Sequence, residues 1–268
     1  MDIFGGVDGT GTDDDKKYAV EFANSHVNTL FKQWTTPHRF YDRGPALVGA
    51  ETGDKARMLA MAMKASWQIA GTRAGLARTP NRLFIAGYSR GAAAAVEACH
   101  MLKDAGIPVH CLMLFDAVER TNTVSRTTVP GNVRHCFHAR RDPSAASRQS
   151  FSNCSTRAEP GVKYSEKFFF CTHGGVGGCP WSKAAEGGVV SEWDGGWALA
   201  AHLLDTAFRM HTGIPVSPVR GLQNTRVTPA QDKTGSRASW DWMHGNLMRA
   251  RAEGTGDFPN PGRFGNFA

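Results

Sequence analysis

The residues with the clearest chemical potential are Gly87-Tyr88-Ser89-Arg90-Gly91, a Gly-x-Ser-x-Gly pentad. An apolar run, Arg82-Leu83-Phe84-Ile85-Ala86-Gly87, leads into it, and a helix-forming tract of small residues, Ala92-Ala93-Ala94-Ala95, leads out. A serine on such a tight strand-to-helix turn presents its hydroxyl above the sheet as a nucleophile, provided the flanking glycines let the backbone pass close by. A bare Gly-Ser-Gly turn without activity has the same pattern, so the surroundings must supply the remaining chemistry. A serine hydroxyl needs a positioned base. His173 fits, because it follows Phe168-Phe169-Phe170 and opens the run His173-Gly174-Gly175-Val176-Gly177-Gly178, whose glycines let a loop turn back over Ser89. His138, His202 and His244 are its rivals. A carboxylate must hold the base in the right tautomer. Asp116 ends one strand-like run and Asp142 follows the next, and position alone favours Asp142, one strand later. Two backbone N–H groups must receive the oxyanion. Arg90 supplies one, and Gly9 or Thr10, in the turn Asp8-Gly9-Thr10-Gly11, supplies the other. That turn lacks the Gly-Lys-Ser/Thr ending of a phosphate-binding loop.

These groups need a scaffold. Apolar runs at 3–7, 82–87, 109–115, 132–138 and 167–172, with a short one at 38–42, read as strands. Helical spacing covers 15–34, 54–74, 92–103 and 197–210. Alternating strands and helices predict a mostly parallel central sheet with helices on both faces. Ligands of such sheets sit beyond the carboxyl ends of the strands, where Asp8, Ser89, Asp116, Asp142 and His173 all fall. The expected division is a core over residues 1–212 and a C-terminal extension over 213–268 that packs on it. Within the extension, Trp240 to Met248 is expected to pack on the core rather than close over a cleft, and the last dozen residues, rich in Gly and Pro, are expected to be loosely held.

Composition narrows the class. With 268 residues, 41% hydrophobic and 21% charged, the chain is long and apolar enough to bury a core. No apolar run reaches the roughly 20 residues of a membrane span, and residues 1–6 carry no secretory leader, so synthesis in the cytoplasm is expected, with any export by a signal-independent route. The net charge of +7 is scattered rather than clustered and accompanies no nucleic-acid motif, which argues against nucleic acid as a partner. Weak attraction to anionic phospholipid headgroups remains open. None of the six cysteines forms a Cys-x-x-Cys pair. Cys171, His173 and Cys179 match no zinc module, so no metal or other cofactor is expected; a disulfide through Cys171 to Cys154 or Cys179 stays open.

Taken in order, Val7-Asp8-Gly9-Thr10-Gly11-Thr12, Phe40-Tyr41-Asp42-Arg43-Gly44-Pro45, Gly87-Tyr88-Ser89-Arg90-Gly91-Ala92, Leu114-Phe115-Asp116-Ala117-Val118 and Thr172-His173-Gly174-Gly175-Val176-Gly177-Gly178 resemble a bacterial α/β-hydrolase family. That family includes lipase effectors of type VI secretion, particularly a phospholipase A-type branch. The resemblance spans about residues 1–212. It implies the α/β-hydrolase fold, Ser89 as nucleophile, His173 as base and Asp116, rather than Asp142, as acid. The family's Trp-Asp-Thr-Val and His-Ser-Asp-Val-Gly-Gly patterns read here as Phe115-Asp116-Ala117-Val118 and His173-Gly174-Gly175-Val176-Gly177-Gly178, departures that bear on substrate and export route. The implied function is a serine ester hydrolase, a lipase or phospholipase, acting on a lipid or small ester, with an immunity protein or secretion apparatus as implied partners. A thioesterase or peptidase with the same triad, and an inactive binding module on the same fold, are the alternatives.

Overall fold

The computed structural model describes residues 1–46, 51–74, 81–119, 123–185, 187–193 and 222–253. Six strands form one parallel sheet: β1 (Asp2–Val7), β2 (Arg39–Asp42), β3 (Arg82–Tyr88), β4 (Val109–Phe115), β5 (Val133–Arg141) and β6 (Lys163–Phe169), in the order β2-β1-β3-β4-β5-β6. Helices α1 (Asp15–Glu21), α2 (His26–Gln33), α3 (Thr52–Ala74), α4 (Arg90–Asp104), the one-turn α5 (His173–Val176) and α6 (Pro229–Ala252) surround it. A two-stranded antiparallel ribbon, β7 (Ser191–Trp193) and β8 (Leu222–Asn224), forms a separate sheet. A parallel sheet flanked by helices is an α/β-hydrolase-like architecture.

Strand alternation divides the core between the two faces of the sheet. Ile3, Val7, Leu83, Ile85, Leu112 and Leu114 pack with α3 and the alanines of α4. Phe4, Phe84, Ala86, Cys111, Met113 and Phe115 pack with Leu30 of α2 and with Met243 and Leu247 of α6 on the other. The central strands are therefore buried on both sides, which is why they read as unbroken apolar runs. On the second face the rings of Phe4, Trp34 and Phe84 lie 5.1 and 5.2 Å apart. Offset aromatic contacts of this kind add about 0.5–1.5 kcal/mol each beyond area burial.

Several elements depart from the sequence reading, among them the run after His173, expected as a loop, which opens with the one-turn α5, and β5, which runs to Arg141 rather than 138. The helix expected over 15–34 is two helices broken at Ser25. Ser25 caps α2 by accepting the Asn28 N–H, while its hydroxyl donates to the Asp8 carboxylate, so a side chain competing for the backbone ends one helix and starts the next. The strand expected over 167–172 begins at Lys163 and ends at Phe169. β6 is an edge strand, mostly exposed, so its mixed polar sequence hides its first half. The aromatic stretch around Trp240 belongs to a 24-residue helix, α6. Its start was readable: Thr228 and Gln231 form a reciprocal capping box, with Pro229 in the first turn. The helix expected over 197–210, the rival base His202 and the tail from residue 257 lie outside the described residues.

Candidate active site

β3 ends at Tyr88 and α4 begins at Arg90, leaving Ser89 alone on the turn with φ 56° and ψ −125°. Left-handed backbone of this kind costs a non-glycine residue about 1–3 kcal/mol and persists only where neighbours enforce it. Here the Ser89 N–H donates to Phe115 O at 3.0 Å, and Ser89 O accepts the N–H groups of Ala92 and Val118, each at 3.1 Å. The turn also needs Gly91: a Cβ there would stand 2.1 Å from Asp8 O, so the start of α4 can press against the end of β1 only without a side chain.

Ser89 Oγ lies 2.8 Å from His173 Nε2, and His173 Nδ1 lies 2.7 Å from Asp116 Oδ2. The three side chains thus form one hydrogen-bonded chain across the carboxyl ends of β3 and β4 and the start of α5. All three residues are buried. Burial, more than any other influence, pushes the His173 imidazole below its ordinary value; the Asp116 carboxylate opposes this and the Arg141 and Arg148 guanidinium groups reinforce it. Burial by itself would raise the Asp116 carboxyl, yet Arg141 and the hydrogen bonds from His173 and Asn153 overcome it and hold the group well below the usual carboxylate range. Asp116 is therefore an anion beside a neutral imidazole near neutrality.

The alternative acid, Asp142, faces elsewhere. It accepts the Ser144 N–H at 2.8 Å and the Ser144 hydroxyl at 2.6 Å, capping the short 3-10 turn Pro143–Ala145. Of the rival histidines, His138 accepts the Ala117 N–H at Nε2, and burial pushes it down to about 4. His244 stacks on Trp240 on α6. Neither touches Ser89.

Of the residues expected to receive the oxyanion, Arg90 opens α4, and the N–H groups of a helix's first turn have no partner inside the helix. The two candidates in the Asp8-Gly9-Thr10 turn are not equivalent. The Gly9 N–H donates to the Asp8 carboxylate at 3.0 Å, whereas the Thr10 N–H makes no hydrogen bond to the described residues. The Arg90 side chain also crosses to this turn, with Nε donating to Thr10 Oγ1 at 2.6 Å and Nη2 to Ala46 O at 2.8 Å. Asp8 anchors the turn from below. It is fully buried, accepts hydroxyl bonds from Ser25 and Tyr41, and is raised by burial to about 6 despite them.

Several supporting residues carry no sequence signal of their own. Tyr88 donates its hydroxyl to His173 O at 3.1 Å. Ser147 Oγ accepts the His173 N–H at 2.8 Å and donates to the buried Glu192 at 2.5 Å. Asp232 of α6 accepts the Thr172 N–H at 2.7 Å and hydroxyl at 3.0 Å, fixing the residue before His173. This approach explains Gly175, where a Cβ would lie 2.2 Å from Asp232 Oδ1. The Thr-Pro-Ala-Gln start of α6 points to the helix that carries Asp232, but nothing in the sequence points to the contact.

Cys171 and Cys179 are free thiols, as are the other four cysteines, and burial raises both. Among the described residues no group of three His, Cys, Asp or Glu side chains is placed to hold a metal ion, and both His173 nitrogens are engaged by Ser89 and Asp116. Among those residues no helix is long and apolar enough to cross a membrane.

No family model matches the chain, and no curated protein matches it significantly. Among solved structures it is similar to an uncharacterized protein from Pseudomonas aeruginosa, at 14% identity and a TM-score of 0.42. The alignment covers 94% of this chain and 51% of that one, so the chain spans about half that protein's length. It is also similar to YbtT, a type II thioesterase from a yersiniabactin NRPS/PKS biosynthetic pathway, at 10% identity and a TM-score of 0.29, covering 62% of this chain and 86% of that one.

Proposed function

We propose that this protein is a serine acyl hydrolase that cleaves carboxylic esters through an acyl-enzyme. The reading rests on one observation: the unbroken hydrogen-bonded chain from Asp116 through His173 to Ser89. In this mechanism His173 Nε2 takes the Ser89 proton as Oγ attacks the acyl carbonyl. Asp116 holds the Nδ1–H tautomer and stabilises the imidazolium that forms. The N–H groups of Arg90 and Thr10 receive the oxyanion; Gly9 drops out as a donor because Asp8 already occupies its N–H. His173 then returns its proton to the leaving alkoxide. Water, deprotonated by the same imidazole, releases the acid and restores Ser89.

A lipid ester is the first substrate class to try. The same geometry serves a thioester, since both carbonyls pass through a tetrahedral oxyanion, and a panel of phospholipid, short-chain ester and acyl-thioester substrates ranks them. The decisive experiment is labelling with a fluorophosphonate probe alongside turnover of a short-chain nitrophenyl ester. Wild-type protein should be labelled at Ser89 and turn over; Ser89→Ala should do neither while keeping its circular dichroism spectrum. Wild-type protein that is inert to the probe would favour a binding module on this fold.

A further inference from the structure

Arg141, the last residue of β5, lies beside Asp116 with its guanidinium buried. Its Nη1 donates to Asp116 Oδ2, the same oxygen that accepts from His173, and its main-chain N–H donates to Asp116 Oδ1 at 3.3 Å. The other donors run to main-chain carbonyls: Nε to Ser147 O at 3.0 Å, and Nη2 to Arg148 O at 3.2 Å and to Phe151 O. All three guanidinium nitrogens are therefore used, in the fixed planar geometry that a lysine could not reproduce. The 147–151 segment that Arg141 grips also touches the base, because Ser147 Oγ accepts the His173 N–H and the Phe151 ring stands edge-on to the imidazole at 5.5 Å.

We propose that Arg141 is a positioning residue for the reaction, locking Asp116 in register with His173 so that acid and base are held by one guanidinium fork. The inference rests on the serine-hydrolase reading above. A buried ion pair is a poor source of stability compared with apolar residues of the same volume. The directed use of every nitrogen instead fits a role in geometry. The fork also places a positive charge behind Asp116, where it opposes formation of the imidazolium. The charged and titratable groups around His173 include Asp116 at Nδ1, Arg141 behind it, Arg148 with its guanidinium over the Phe151 ring, Tyr88 at the main-chain oxygen, Glu192 behind Ser147 and Asp232 behind Thr172. Removing the Arg141 charge therefore makes His173 easier to protonate.

The test compares Arg141→Met and Arg141→Lys with wild type through the pH profile of kcat/KM on a nitrophenyl ester. Arg141→Met should lose about 10²-fold in kcat with KM little changed, the usual consequence of a small misplacement of a reacting group. Its acid limb should move to higher pH. Arg141→Lys should keep the limb at the wild-type position, because the charge remains, yet lose kcat, because the fork is gone. A wild-type kcat in either variant, or an acid limb that stays put in Arg141→Met, overturns the proposal. Should Arg141→Met not fold, Arg141→Lys decides alone on kcat. Wild-type protein that neither turns over nor reacts with fluorophosphonate would refute the serine-hydrolase reading and this inference with it; an active enzyme indifferent to Arg141 would refute only the inference.

Discussion

Replacing Asp116 by asparagine should be far more damaging than its near-isosteric shape suggests. Four donors converge on the carboxylate: His173 Nδ1 at 2.7 Å and Arg141 Nη1 on Oδ2, and Asn153 Nδ2 at 2.7 Å and the Arg141 N–H at 3.3 Å on Oδ1. An asparagine has one acceptor oxygen, so its NH2 group must face donors whichever way the amide is turned. With the NH2 toward Oδ2's partners, His173 can satisfy it only by presenting a bare Nδ1, which puts the imidazole proton on Nε2. That nitrogen then donates to Ser89 and cannot take its proton. With the NH2 on the other side, it meets Asn153 and the Arg141 N–H, and the carboxylate charge that stabilises the imidazolium is lost regardless. A wrong tautomer at such a site costs about 10⁴-fold in kcat, or about 5–6 kcal/mol of barrier at about 1.4 kcal/mol per decade. Leaving the Arg141 guanidinium without its anion costs about 3–5 kcal/mol of stability, so thermal melts must establish that the variant is folded at the assay temperature. The assay is kcat for a short-chain nitrophenyl ester, with Asp142→Asn as control. Asp142 caps only the turn after β5, and its variant should stay close to wild type. A folded Asp116→Asn enzyme that stays within about tenfold of wild type, or a collapse of activity in Asp142→Asn, would refute the assignment of the acid.

Two further outcomes follow from the same geometry. The Arg90 side chain clamps Thr10 at 2.6 Å, so Arg90→Met and Thr10→Val should each lower kcat by about 10–10²-fold, somewhat less than deletion of an oxyanion donor; measured as a double-mutant cycle, the losses should overlap rather than multiply, and full additivity would refute the clamp. Because burial lowers the His173 imidazole, activity should rise with pH along a limb centred below the ordinary histidine value of about 6.5 and stay high through neutrality; the kcat/KM profile checks this, and a limb above that value would mean that the base is not His173 in this environment.

Much of this was legible in the sequence because it depends on local rules. The runs of β3 and β4 announce strands buried on both faces, and the alanine tract after Gly91 announces a helix that can press close to the sheet. In a parallel sheet such runs deliver their following residues to one edge, which makes Asp8, Ser89, Asp116, Asp142 and His173 the candidates. Position along the chain favours Asp142 as the acid and leaves Gly9 and Thr10 level as donors. Asp116 and Asp142 both follow strands, and only the packing of β4 beside β5 turns one toward the imidazole and leaves the other capping a turn. Gly9 and Thr10 share a turn, and only the inward swing of the Asp8 carboxylate occupies one N–H and leaves the other.

The chain's own order of residues determined which chemistry is on offer: a hydroxyl on a strained turn, an imidazole in a glycine-rich loop, and carboxylates at strand ends. Tertiary structure alone decided the supporting cast. Arg141 meets Asp116 across 25 residues, Ser147 reaches His173 across 26, and Asp232 reaches Thr172 across 60. Contacts at such separations leave no periodicity or spacing to read, because the geometry that joins them is created only when sheet and helices pack together.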